Sequence, residues 1–295
     1  MTDRAKSYLL ALLAVFFWST IATAFKIALS ELNPGQLLFI SSCTAVVVLA
    51  VISVIEGKFR IILKARLPDI LISALLGLLN PFVYYLVLLK AYTLLPAQVA
   101  QPLNMIWPIV LVFLSVPMLK QKIPARSFLA LFISFAGVYL VSSQGQPLKP
   151  GTSDWLGVLL ATGSSIFWAL YFILNMKDKR DESNKLLLNF LIATIYIAVY
   201  LSFTGGFGQI STKGLLAGIY TGIFEMGLTF YLWLKAMKLA ETSDKIANLV
   251  FLAPFLSLIF ISIFLGEGIY YTTFVGLVLI IGGIIYQKTG KARSV

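Results

Sequence analysis

Ten apolar runs, each close to the length that crosses a bilayer, follow one another along this chain. A spanning helix needs about 20 apolar residues. Runs of that kind fall at 8–29, 35–55, 70–89, 97–118, 125–143, 154–176, 186–204, 213–234, 246–264 and 269–287. Together they use roughly 200 residues and leave about ten for each loop or end. That leaves no room for a catalytic or nucleotide-binding domain outside the membrane, and no G-x-x-x-x-G-K-[ST] loop is present. Only 12% of the 295 residues are charged and 59% are hydrophobic, against roughly 25% charged in a soluble domain. The expected class is an all-α integral membrane protein.

The charges set the expected orientation. Of the 23 Lys and Arg residues, nineteen fall in segments on the side of the N-terminus; Lys90, Lys149 and Lys213 fall opposite, and Lys26 sits near the outer end of span 1. The positive-inside rule then places both termini in the cytoplasm, with an even number of crossings, in a cytoplasmic (inner) membrane. The net charge of +11 is therefore an orientation signal and not a nucleic-acid surface. Arg4, Lys6 and Ala22-Thr23-Ala24 imitate a cleavable signal peptide, but the apolar run is long for one, and span 1 is read as retained. There is no His, and Cys43 is the single Cys. Histidine-based metal sites, Ser-His-Asp triads and disulfide frameworks are thereby excluded, and neither a metal nor a cofactor is expected.

The two halves echo each other. Lys90-Ala91 matches Lys235-Ala236 at an offset of 145; Leu119, Ile123 and Gly137 match Leu265, Ile269 and Gly283 at 146; Phe17-Trp18 matches Phe167-Trp168 at 150. Five spans per half is an odd number, so the second half runs upside down relative to the first. The expected division is 1–146 and 147–295. Inverted repeats meeting at a midplane site characterise secondary transporters that alternate access.

On these residues the chain resembles the EamA-type branch of the drug/metabolite transporter superfamily. The resemblance is carried by Phe17-Trp18, by LLKAYTLLPAQVAQPLNMIWPIVLVFL (88–114), by WLKAMKLAETSDKIANLVFLAPFLSLIFISIFLGEGI (233–269) and by GLVLIIGGIIY (276–286). The Gly-Glu that closes the fourth span of each family repeat stands here as Gly266-Glu267, whereas the first half has Lys120-Gln121. The resemblance implies ten helices around a central cavity lined by spans 1, 3, 4, 6, 8 and 9. It also implies transport of a small metabolite.

Glu225 is the most informative residue. It lies about 12 residues into span 8, so ~18 Å from the outer interface at 1.5 Å per residue, and is the only carboxylate deep in any span. A charge at the bilayer centre costs ~2.5–3.5 kcal/mol even on the lenient insertion scale, so such residues are usually functional. Gly218, Gly222 and Thr229 are expected on its helical face. The repeat offset pairs it with Asn80. It would hold a substrate ammonium, bind a driving proton, or do both by exchange; the bland alternative is a purely structural hydrogen bond.

Around it, with Pro102 and Pro108 expected to interrupt the backbone hydrogen bonds of span 4, Trp18, Asn80, Tyr84, Gln101, Asn104, Trp107, Trp168, Tyr171, Asn175 and Asn248 are candidates for lining the substrate site. They recur on single faces of otherwise lipid-soluble helices. Trp155 and Trp233, near span ends, read as interfacial anchors. Lys90 and Lys235 either snorkel or gate. The Gly276–Gly283 face of span 10 has two readings, packing within one chain or between two, so monomer and homodimer both stay open.

An apolar, aromatic-walled cavity with one acid and several amides suits an amino acid with an apolar or aromatic side chain. By family resemblance the direction is export. Phosphorylated cargo would want an Arg/Lys clamp, and the spans offer only Lys26. A cationic metabolite such as S-adenosylmethionine or a quaternary amine is the alternative, held by cation–π contact and Glu225. A channel would need rings of like groups along a path. A membrane-embedded enzyme would need a catalytic constellation that this chain lacks. The expected partners are a small-molecule substrate and the lipid bilayer, with the proton as candidate coupling ion.

Overall fold

A computed structural model describes residues 2–62, 64–120, 125–149, 153–240 and 249–289, and among these every regular element is helical. Seven helices are long and apolar enough to cross a membrane: α1 Asp3–Leu29, α2 Pro34–Ile55, α3 Leu67–Leu94, α4 Ala97–Leu119, α6 Trp155–Lys177, α7 Glu182–Thr204 and α8 Thr212–Leu239. Three shorter apolar helices, α5 Ala125–Ser142, α9 Leu249–Leu265 and α10 Tyr271–Thr289, and the four-residue helix Phe59–Ile62 are described as well. The chain is a multi-pass membrane protein. The helices start where local chemistry lets them. Thr2 caps α1 and Ser211 caps α8. At α2, Asn33 and Gln36 cap each other reciprocally, satisfying end donors that would otherwise lack partners.

The chain forms two compact units, Met1–Leu89 with Asp178–Gly266, and Lys90–Lys177 with Glu267–Val295. Each draws on both sequence halves. In the first unit small residues let α8 lie close along α2. A Cβ on Gly218, Gly222 or Gly227 would meet Ile40, Thr44 or Val48 at 2.7, 2.5 and 3.0 Å. Ser41 Oγ donates to the Gly218 carbonyl, and Ser42 bonds Thr194 of α7. Without a hydrophobic drive between helices in lipid, such close approach and interhelical bonding hold the bundle together. Ala11 of α1 and Ala236 of α8 are both fully buried in one cluster, where Ser7 Oγ donates to the Ala236 carbonyl. The alanine of the repeated Lys-Ala pair thus makes room for α1.

One end of this unit is closed by a charged network. Lys58 pairs with Glu56 at 3.1 Å and Asp181 at 2.7 Å. Ser183 Oγ and Tyr231 Oη donate to Glu56, and Lys235 Nζ donates to Tyr231 Oη. Lys235 is therefore tied into the network, while Lys90 is exposed. Burial pushes the Glu56 carboxyl up, but the bonds from Lys58, Ser183 and Tyr231 outweigh it and leave it below its ordinary 4.5. Burial is likewise outweighed at Asp181, chiefly by Lys58, leaving it below 3.8. The bond to Asp181 holds Lys58 above 10.5. Carboxyls held low stabilise the fold above their ordinary values and lose that contribution as pH falls; an ammonium held high loses its contribution only as pH rises past its raised value. Thermal stability is therefore expected to decline below pH 4.5. A Lys58→Ala variant should show a shallower decline, and equal slopes in a pH series of melting curves would contradict this.

In the second unit α5 and α10 pack backbone to backbone. A Cβ on Gly137 would sit 2.5 Å from the Gly276 carbonyl oxygen, and one on Gly276 would sit 2.6 Å from that of Gly137. A Cβ on Gly283 would run into Ser134 Oγ and would meet the Ala130 carbonyl at 2.9 Å. Of the two readings of the glycine face of α10, packing within one chain is the one observed. In α4 the helix breaks between Ala97–Asn104 and Trp107–Leu119, because Pro108 has no N–H to offer the turn before it, whereas Pro102 lies inside the first of these pieces.

Candidate functional site

Two of the three long helices of the first unit that carry candidate residues, α3 and α8, are irregular near their middles. In α3 the backbone leaves the helical region at Asn80, with φ −148° and ψ 120°. The residue before a proline is pushed there by the ring of Pro81. In α8 the turn over Gly222–Gly227 widens to i→i+5 hydrogen bonding, and Thr229 Oγ1 donates to the Phe224 carbonyl five residues back. Widened turns of this kind are frequent at functional sites.

Glu225 lies inside that widened turn. Its Oε1 accepts a 2.7 Å hydrogen bond from the phenol of Tyr85, which is fully buried. Tyr84, 6% exposed, packs its ring edge-on against Tyr85 at 4.7 Å. Asn80 is 1% exposed, and its Oδ1 has no hydrogen-bond partner among the described residues. Tyr84 is the expected site residue on this helix, yet its neighbour Tyr85 is the one that bonds Glu225. A helical wheel assumes an unbroken helix, and the break at Asn80 re-aims the side chains C-terminal to it. A phenol beside an intramembrane acid is the signal that was available.

The widened turn also overturns the face assigned to Glu225. Gly222 and Gly227, five apart, stack along α2 against Thr44 and Val48, themselves four apart. Gly218 and Gly222 therefore serve helix packing, while the Glu225 side chain reaches α3. Beside it lies an aromatic group. Phe17 packs on Phe224 at 4.6 Å, Phe224 on Tyr220 at 4.7 Å, and Tyr220 Oη bonds Thr20 Oγ1 at 2.7 Å. Trp18 packs against Trp233 at 5.3 Å and Phe230 at 6.0 Å. The anchor reading of Trp233 is thus corrected: its ring belongs to the contact between α1 and α8. Trp155, 75% exposed, sits as an anchor would.

The second unit brings another group together. Asn104 Nδ2 donates to Ser164 Oγ at 2.8 Å. Trp107 packs on Trp168 at 6.3 Å and Phe172 at 5.7 Å, and Trp168 on Tyr171 at 6.0 Å. Gln101, 8% exposed, keeps an Oε1 without a partner among the described residues. Asn175 lies one turn beyond Tyr171 on α6, partly buried. Asn248 lies outside the described residues.

Glu267 has a definite role at the start of α4. Its two carboxylate oxygens accept from the Ala97 and Gln98 backbone N–H groups at 3.0 and 3.3 Å. The Gln98 side chain reciprocates, donating to the Gly268 carbonyl and accepting from the Tyr270 N–H. A carboxylate at a helix N-terminus satisfies bare donors and complements the helix dipole. Glu267→Ala is expected to cost about 1–2 kcal/mol of stability, read as a lowered melting temperature. A variant melting with the wild type would refute this capping.

The fold and this chemistry define a class: a multi-pass membrane protein with a carboxyl and aromatic rings on its apolar helices. The model of the EamA-like transporter family matches residues 5–143 and 155–286, and the chain belongs to that family, an EamA-type branch of the drug/metabolite transporter superfamily. It is 27% identical over 297 residues to the uncharacterized transporter YvbV of Bacillus subtilis (strain 168), covering 99% of this chain and 94% of that one. It is 24% identical over 298 residues to an uncharacterized transporter of Archaeoglobus fulgidus, covering 98% and 99%. A solved crystal structure at 19% identity superimposes with a TM-score of 0.69 over 97% of each chain, a likeness of fold alone. The family points to a transporter and not an enzyme.

Proposed function

We propose that this chain is a secondary transporter of the cytoplasmic membrane that exports a small organic metabolite, an amino acid with an apolar or aromatic side chain, by alternating access. In this reading ten crossings form two inverted repeats, 1–146 and 147–295, around a central cavity, with both termini in the cytoplasm. The pairing of α5 with α10 supports the inversion. Gly137 against Gly276 becomes Gly283 against Ala130 when the 146-residue offset is applied and the partners exchanged, as a pseudo-two-fold axis requires.

The observation that carries the functional reading is the Glu225–Tyr85 pair. A carboxyl at mid-membrane depth is retained against a high desolvation cost, and Tyr85 occupies only one of its oxygens. The other is offered to a substrate ammonium or to a coupling proton, with the rings of Phe17, Tyr220 and Phe224 beside it for an apolar side chain. Counterflow in proteoliposomes preloaded with single aromatic, aliphatic and sulfur amino acids, S-adenosylmethionine or choline tests it. Exchange of an amino acid supports the reading; a panel in which none exchanges removes it.

A cationic metabolite is the second reading. It is favoured by the rings of Phe17, Tyr220 and Phe224 beside Glu225, which would hold S-adenosylmethionine or a quaternary amine by cation–π contact while the carboxylate supplies the opposite charge. Exchange of S-adenosylmethionine or choline in the same panel, without amino acids, selects it.

A further inference from the structure

The first unit carries an apolar groove that the transport reading does not use. It measures about 570 Å³ and is walled by Cys43 and Val46 of α2, Ile70 of α3 and a strip of α7 from Leu188 to Ile195. The strip lies ~9–20 Å along α7 from its first residue at 1.5 Å per residue, so the groove opens at the depth of hydrocarbon. Its walls offer a ligand nothing polar to hold. The one hydroxyl, Thr194 Oγ1, is already engaged by Ser42 and by the Phe190 carbonyl. Ile195 is 60% exposed and forms part of the outer surface.

One end of the groove meets positive charge. Arg66 precedes α3 four residues before Ile70, ~6 Å along the axis; its side chain is 84% exposed and lies 3.8 Å from Asp69 Oδ2, a surface pair that leaves its other N–H groups open to a phosphate. Arg60, in the short helix Phe59–Ile62, and Lys64 are exposed as well. A hydrocarbon slot ending at exposed cations matches an amphiphile with an apolar tail and an anionic head. A second copy of this chain fits worse. Membrane insertion orients both copies alike, so the basic end of one would face the basic end of the other.

We propose that this groove binds an acyl chain of an anionic phospholipid, with its phosphate on Arg66 and with Arg60 and Lys64 adding attraction. Where this end is cytoplasmic, as the topology proposed above has it, the lipid belongs to the inner leaflet; the site itself does not depend on that assignment.

Native mass spectrometry of the purified protein with an equimolar mixture of phosphatidylglycerol and phosphatidylcholine of matched chains tests the site. Each cation near the surface is expected to favour the anionic lipid about five-fold, so phosphatidylglycerol should dominate the retained adducts. Arg66→Ala with Lys64→Ala should bring the two lipids to near parity. Ile192→Trp, whose ring fills the slot, should remove the retained lipid, and Leu191→Trp serves in its place if the first variant is not monodisperse. Ile263→Trp, at a 68% exposed position on α9, should bind as the wild type does. Equal retention of both lipids by the wild type, or undiminished phosphatidylglycerol on the slot-filling variants, would overturn the proposal. Loss of adducts from Ile263→Trp as well would mean a general loss of annular lipid and would overturn it too. None of these outcomes depends on substrate exchange.

Discussion

Glu225→Gln is expected to lower saturable exchange by about 10- to 100-fold, because a hydrogen bond to a charged group contributes about 1.5–3 kcal/mol. Glutamine keeps the volume and one acceptor but supplies no charge to a substrate ammonium. Tyr85→Phe leaves the carboxylate and removes the phenol that orients it, so a smaller loss, about five-fold, is expected. The double variant should lose less than the product of the two, since the residues touch. Tyr85→Phe should act through KM and Glu225→Gln on exchange as a whole. If Glu225→Gln exchanges normally but without pH dependence, the carboxyl is the coupling site and the substrate lies elsewhere. If both variants transport like the wild type at every pH, the pair is structural and the functional reading fails.

The second large effect is expected at the α5–α10 contact. Gly137→Ala places a methyl 2.5 Å from the Gly276 carbonyl oxygen and 3.0 Å from the Ile280 nitrogen. These are backbone atoms of a helix, which do not swing aside as a side chain does. Overpacking of this kind typically costs about 1–3 kcal/mol, and Gly137→Leu, several atoms larger, should abolish monodisperse protein. Gly276→Ala should behave like Gly137→Ala. Gly282 lies on the same helix α10 with nothing within 4 Å of its would-be Cβ, so Gly282→Ala should be neutral or slightly stabilising. Melting temperatures of the three alanine variants in one detergent decide the matter. Equal behaviour of Gly137→Ala and Gly282→Ala would mean that the contact is softer than its distances imply.

Much of the architecture is readable without coordinates because the bilayer imposes it. Apolar length alone located α2 at 35–55 against the observed Pro34–Ile55, and α7 at 186–204 against Glu182–Thr204. The ends differ by a few residues because capping by Asn33, or an acid in the first turn at Glu182, extends a helix beyond its greasy part. The broken α4 was equally legible, since a proline's missing N–H acts locally. Family membership followed from the same pattern of spans and repeats.

Relations that depend on rotation about a helix axis were not legible. Tyr85 and not the repeat-paired Asn80 is the observed donor to Glu225, because the break in α3 and the widened turn in α8 each reset the wheel on which a periodicity argument rests. Trp233, near a span end, turned inward because α1 runs beside it. The α10 glycines had two open readings until α5 was seen filling their face. Glu267 caps a helix 170 residues earlier in the chain, a distance at which no local rule operates. The sequence by itself determined which segments are apolar enough to cross a membrane and that the carboxyl of Glu225 lies deep in one of them, because transfer into hydrocarbon is a property of each segment alone. Only the tertiary structure decided which side chain meets that carboxyl, because helix packing sets axial rotation through the shapes of neighbours far away in the chain.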